Sequence, residues 1–301
     1  MARFKLGLIG AGRMGRTHLR ALADSETVAI TTVTEPAPAA RADLAQSGLT
    51  THATLDAMLD AGGIDGVLIA APSNDHLALV RQVAAAGLPI LCEKPCGTTA
   101  AAAAAAARIT AAANVRLQIA YWRRFVPALR ALRQRIAAGE LGGIYLAACY
   151  QWDGSAPPAS FRAHSGGIFV DMGVHEFDQL RWLTGQDIVA LHPSIATIEH
   201  DPHVDGDTES AQVLCDLSQG STGLVSLGRR FPQGDVCWAH IFGTRDAEEC
   251  RFLWPPEADA VFLQALRAQA ESFARNDPEG ARAEDAVAAL TAAETASQAL
   301  R

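Results

Sequence analysis

From residue 4 to residue 119, short apolar runs alternate with longer stretches whose apolar side chains recur at helical spacing. The runs at 4–9, 28–33, 66–70, 89–92 and 116–119 read as strands. Leu55, Met58 and Leu59, and later Leu77, Val80, Val83 and Ala84, mark helices between them. Strand and helix in regular succession predict βαβ units on a parallel sheet. The alanine run at 100–107 reads as a packed helix, because Ala is the best helix former and Thr98 or Thr99 can cap it.

Around Tyr121 the pattern changes. A helix at 127–138 leads to a strand at 144–152, a Pro-rich loop at 155–158 and a helix at 172–183. Strands then follow one another without helices between them, at 190–198, 210–217, 223–227, 237–243 and 251–254, before two Ala-rich helices at 258–275 and 284–300. Such a series predicts a mainly antiparallel sheet. The expected fold class is therefore an α/β Rossmann domain, residues 1–121, followed by an α+β domain, residues 122–301.

Composition narrows the function. A net charge of −8 is the wrong sign for a nucleic-acid surface. No apolar run reaches the ~20 residues of a membrane span, and the N-terminus runs directly into a strand rather than a signal peptide. The six cysteines are scattered without a CxxC pair, which argues against a zinc site or a disulfide framework and for a reducing, cytoplasmic setting. His200, Asp201, His203, Asp205 and Asp207 could ligate a metal, yet Pro202 and Gly206 make them a polar turn, and no metal is expected. Of 25 basic residues only Lys5 and Lys94 are lysine, so the location of each matters.

The first strand runs into Gly10-Ala11-Gly12-Arg13-Met14-Gly15. Gly10 allows a tight turn, Gly12 lets a pyrophosphate approach the backbone, and Gly15 lets the helix pack on the strand. The helix N-terminus, with Arg13 and Met14, offers amide donors to phosphate. Glu35 falls in the expected ~20-residue window for the acid that binds an adenosine ribose, with no cation before Arg41, which favours NAD over NADP. Two further strand ends deliver Ala71-Pro72 with His76, and Glu93-Lys94-Pro95, to the edge where open α/β sheets bind ligands. Ala71, Pro72, His76 and Glu93 are thus expected against the cofactor. In the second domain Asp171 and His175 are four apart, and Asp178 lies within a turn and a half of Asp171. That spacing suits a carboxylate-supported general base, and equally a helix-capping Asp beside an incidental His.

GAGRMG, Pro72 with His76, Glu93-Lys94-Pro95, the Tyr121-to-Pro127 segment and GGIFVDMGVHEFDQLRWLTG together resemble the glucose-fructose oxidoreductase, inositol dehydrogenase and rhizopine-catabolism (Gfo/Idh/MocA) family, with the loop around Pro157-Pro158 most like its inositol dehydrogenases. The resemblance covers nearly the whole chain. It implies an open second sheet often used for homodimer or homotetramer contacts, and NAD(P)-dependent oxidation at a secondary hydroxyl of a sugar or cyclitol. It also implies that Lys94 hydrogen-bonds the reacting hydroxyl, that His175 paired with Asp171 accepts its proton, and that Asp178 contacts substrate; Trp152, beside the expected pocket, is a further candidate for substrate contact. The sequence departs from the family pattern at Ala71, at Gln151-Trp152-Asp153, at Phe231-Pro232-Gln233-Gly234 and in a short 244–254 segment. These positions surround the expected substrate pocket and bear on substrate identity. An NADPH-dependent keto-sugar reductase and a non-catalytic dinucleotide-binding protein are the competing readings.

Overall fold

The computed structural model describes residues 2–196 and 208–300. The metal-like turn at 200–207 lies outside the described residues. The chain opens with β1 (Phe4–Ile9), α1 (Arg13–Leu22), β2 (Val28–Thr34), α2 (Pro38–Gln46), β3 (Thr50–His52), α3 (Leu55–Ala61), β4 (Gly66–Ile69), α4 (His76–Ala85), β5 (Ile90–Cys92), α5 (Ala100–Ala112) and β6 (Leu117–Ile119). It continues with α6 (Pro127–Ala137), β7 (Ile144–Trp152), α7 (Ala159–Arg162), α8 (Val174–Thr184), β8 (Ile188–Ala196), β9 (Ser210–Leu217), β10 (Thr222–Gly228), β11 (Val236–Gly243), β12 (Ala247–Leu253), α9 (Ala258–Ala274), β13 (Ala281–Arg282) and α10 (Ala283–Gln298).

Two compact units result. The first takes the chain through Gly97, then Ala101–Trp122 and Leu263–Ala286. Its sheet runs in the order β13-β6-β5-β4-β1-β2-β3, parallel except for the β13–β6 pair. The order reverses at β1, between β4 and β2, so the β1 and β4 ends frame the crevice where such sheets bind ligands. Leu6, Leu8, Val33, Leu68 and Leu91 from the strands pack with Ala270 and Phe273 of α9. The expectation that everything after residue 121 belongs to the second domain is corrected here. Leu263–Ala286 returns to the first unit because Phe273 fills its core, edge-on to Phe4, and β13 extends its sheet.

The second unit comprises Thr98–Ala100, Arg123–Phe262 and Val287 onward. Its sheet has the order β12-β11-β7-β10-β9-β8, with β7–β10 the one parallel pair among antiparallel neighbours. Alternation is plain on β9, where Ala211, Val213, Cys215 and Leu217 are buried and Leu214 is 50% exposed. The buried face carries α8; a Cβ on Gly223 of β10 would stand 2.5 Å from Leu180 of α8, so glycine sets that close approach. No helix of the described residues is long and apolar enough to cross a membrane.

Candidate active site

The glycine turn of the first unit is closed at two positions and open at one. Gly10 has φ +88°, and a Cβ there would lie 2.8 Å from the Ala70 carbonyl oxygen. At Gly15 a Cβ would lie 2.1 Å from the Gly10 carbonyl oxygen, so only glycine lets α1 rise directly off β1. At Gly12 a Cβ would meet nothing within 4 Å. Its φ of −68° suits any residue, so the missing side chain serves space beside the backbone rather than conformation. Arg13 is exposed and Met14 half-buried in the first turn of α1, where main-chain N–H groups have no partner within the helix. This cradle fits a pyrophosphate.

Glu35 stands immediately after β2, with its carboxylate turned to the same cradle: Oε2 accepts from Ala11 N–H at 2.9 Å and Oε1 from Ala37 N–H at 2.9 Å. Each oxygen keeps a lone pair for a ribose hydroxyl. Arg41 folds back onto the carbonyl oxygens of Glu35 and Pro36, at 2.7 and 2.6 Å, so its cation is tied to main chain beside a carboxylate that repels a 2′-phosphate.

Ala71 and Pro72 form the turn after β4, and Ala71 Cα would lie 3.0 Å from a Cβ on Gly10, which puts this turn against the cradle. The side chains of His76 and Glu93 are both buried in the first unit. The two ring nitrogens of His76 stand 2.8 Å from the carbonyl oxygens of Pro95 and Ala71. Glu93 Oε1 lies 2.6 Å from Nε2 of the buried His18 in α1, and Oε2 accepts from Lys94 N–H at 3.2 Å. Lys94 is half-buried in this turn, whereas Lys5 is exposed and uses its main-chain N–H on Asp65.

In the second unit the expected helix begins differently. Phe169–Gly173 is a π-helical turn that passes into α8, so Asp171 and His175 straddle a change of pitch, a distortion that recurs at functional sites. Asp171 Oδ2 accepts from Arg229 at 3.1 Å, and that arginine is completely buried just beyond β10. His175 is buried to 7% exposure on the first turn of α8.

Two more arginines are buried as counterions. Arg124 donates to both oxygens of Asp178, at 3.0 and 2.5 Å, so Asp178 is one half of a bidentate pair rather than a lone substrate acceptor. Arg123 pairs with Glu176 and donates to Gln179 at 3.1 Å and Gln151 at 2.7 Å. Complete burial pushes the Glu176 carboxyl up to about 7, with Arg123 pulling the other way. Asp153 is also raised, chiefly by burial.

The Trp152 indole N–H donates to Ser226 at 3.1 Å, its ring occupies the space over Gly228, and Phe231 meets it edge-on at 6.4 Å. Phe231 in turn lines a cavity of about 600 Å³ together with Ser155, Pro157, Pro158, Arg162 and Arg230. The Pro-rich loop, which resembles that of the inositol dehydrogenases, and the segment after Arg230, which departs from their pattern, thus share one cavity.

His18, Arg229 and the Arg123–Glu176 pair were not legible in the sequence. Their partners lie 75, 58 and 53 residues away, and nothing local marks them.

A parallel sheet with this cradle and this carboxylate defines a dinucleotide-binding oxidoreductase of the NAD class. Residues 4–121 match the family model described as an oxidoreductase family with an NAD-binding Rossmann fold, and residues 129–247 match the GFO/IDH/MocA C-terminal domain. The chain is 55% identical over 304 residues to the rhizopine catabolism protein MocA of Rhizobium meliloti, covering 100% of this chain and 96% of that protein. It is 31% identical to an inositol 2-dehydrogenase of Rhizobium meliloti strain 1021, covering 81% of this chain and 74% of the relative. Among solved structures, a putative myo-inositol dehydrogenase from Sinorhizobium meliloti 1021 superposes with a TM-score of 0.91 at 28% identity, covering 99% and 98% of the two chains. A scyllo-inositol dehydrogenase from Lactobacillus casei with bound NAD(H) and scyllo-inositol gives 0.88 at 26% identity, covering 99% and 97%. The chain belongs to the GFO/IDH/MocA family of NAD-binding oxidoreductases.

Proposed function

We propose that the protein oxidises a secondary hydroxyl of a cyclitol, with an inositol-like ring as substrate, and uses NAD in preference to NADP. The observation that carries the cofactor choice is Glu35, whose carboxylate turns to the glycine cradle. The substrate class is supported by the inositol dehydrogenases among its relatives. Bound NAD supplies the two-electron acceptor. Gly10, Gly12 and Gly15 with the α1 N-terminus hold its pyrophosphate, and Glu35 holds the adenosine ribose. Lys94 hydrogen-bonds the reacting hydroxyl as a compact cation and favours the alkoxide, while His175 takes its proton. Asp171, backed by Arg229, orients the imidazole. The Arg124–Asp178 pair presents charge-assisted groups to ring hydroxyls.

We further infer a homo-oligomer assembled through the outer face of the second sheet. There Tyr150 stacks on Trp238 at 4.3 Å, Leu146 pairs with Phe242, and Leu214 and Phe242 stand 50% and 38% exposed. Six buried thiols, none in a disulfide, support a reducing, cytoplasmic setting.

The test is a screen of inositols, aldoses and their epimers for NAD reduction at alkaline pH, with NADH and NADPH titrated in parallel by fluorescence. Turnover confined to cyclitols and tighter NADH binding are expected. Tighter NADPH binding, with reduction of a keto-sugar as the sole activity, would replace this reading by the reductase.

A further inference from the structure

Two buried histidines grip the turn that bears Lys94, one from each side. His18, on α1, reaches the residue before the lysine: its Nε2 lies 2.6 Å from Glu93 Oε1, and Glu93 Oε2 accepts the Lys94 main-chain N–H at 3.2 Å. His76, which opens α4, reaches the residue after it: Nδ1 lies 2.8 Å from the Pro95 carbonyl oxygen, while Nε2 lies 2.8 Å from the Ala71 carbonyl oxygen. The exposures of the two histidines are 0% and 1%. A polar ring in a core is costly unless hydrogen-bonded, and each ring has one nitrogen bonded at this turn. Each also stands on an element that borders the cradle, since α1 begins at the glycine turn and Ala71 belongs to the turn packed against Gly10.

We propose that His18 and His76 are positioning residues that fix Lys94 in register with the dinucleotide cradle. The inference rests on the reading of Lys94 as the group that binds the reacting hydroxyl. A small displacement of such a group costs turnover steeply without any contact to substrate being removed. Nδ1 of His76 faces Pro95 and Nε2 faces Ala71. The Pro95 bond is the one that holds the lysine turn.

Side-chain amides separate the two nitrogens. Gln places an N–H donor where Nε2 stood, and Asn places one where Nδ1 stood. His18→Gln and His76→Asn therefore retain the bonds to Glu93 and Pro95, whereas His18→Asn and His76→Gln lose them. The expected result is kcat within about threefold of the parent for the first pair and a loss of about 10- to 100-fold for the second, with the Kd for NAD within about threefold throughout. Equal kcat for Gln and Asn at both positions, or losses confined to thermal stability, would overturn the clamp. Because the two amides differ by one methylene, each serves as the other's control for folding. Lys94→Met, measured alongside, separates the two claims. Near-parent turnover in that variant removes the role of Lys94 itself, while an inactive Lys94→Met beside fully active His18→Asn and His76→Gln removes only the clamp.

Discussion

At the scale of single residues, the glycine turn assigns different tasks to neighbouring glycines. Gly15→Ala would drive a methyl group into the Gly10 carbonyl, 2.1 Å away, and should destabilise the chain by about 1–3 kcal/mol, read as a lowered Tm. Gly12→Ala meets open space and should leave Tm unchanged while weakening NAD binding about tenfold or more, read by fluorescence titration. A lowered Tm for Gly12→Ala with unaltered NAD affinity would contradict the cradle. Lys94 was legible as a candidate because lysine is nearly absent from the chain and this one follows a strand end. Glu93 and His76 stood out for the same reason of position, yet position along the chain says nothing about which way a side chain turns. Both turn inward, and the partner that holds Glu93, His18, lies far away in sequence.

At the scale of elements, α8 carries a buried charge whose cost depends on pH. Burial raises the Glu176 carboxyl from 4.5 to about 7. An acid raised in the folded state stabilises the fold through its protonated form. Its contribution is full below pH 4.5 and is lost as pH rises through 7, a span of roughly 3 kcal/mol. Calorimetry should find Tm falling between pH 5 and 8 in the parent and a flatter profile in Glu176→Gln; identical profiles would remove Glu176 as the source. Arg123→Met removes the cation that pulls Glu176 down, so the fall of Tm should move to higher pH in that variant, read by the same calorimetry. Strand and helix periodicity located most elements within two or three residues. It missed the short α2, β3, α7 and β13, and the π-turn at Phe169–Gly173, which the sequence presents as the start of an ordinary helix.

At the scale of the whole molecule, the chain forms two units with separate cores, the first of which carries the glycine cradle. The change from alternating elements to consecutive strands made the first boundary legible at Tyr121. The return of Leu263–Ala286 to the first unit was hidden, since an Ala-rich helix looks the same whichever core it joins. If the outer sheet face is an assembly surface, Leu214→Glu should shift the molar mass seen by light scattering toward the monomer, while the NAD affinity of each chain stays unchanged; a parent chain already monomeric would dispose of that surface. The most direct test of the central claim is the rate of NAD reduction by the best cyclitol in Lys94→Met, with NAD binding measured on the same sample. Turnover lower by two or more orders of magnitude at nearly unchanged NAD affinity is the expected result. Turnover close to the parent's would contradict it.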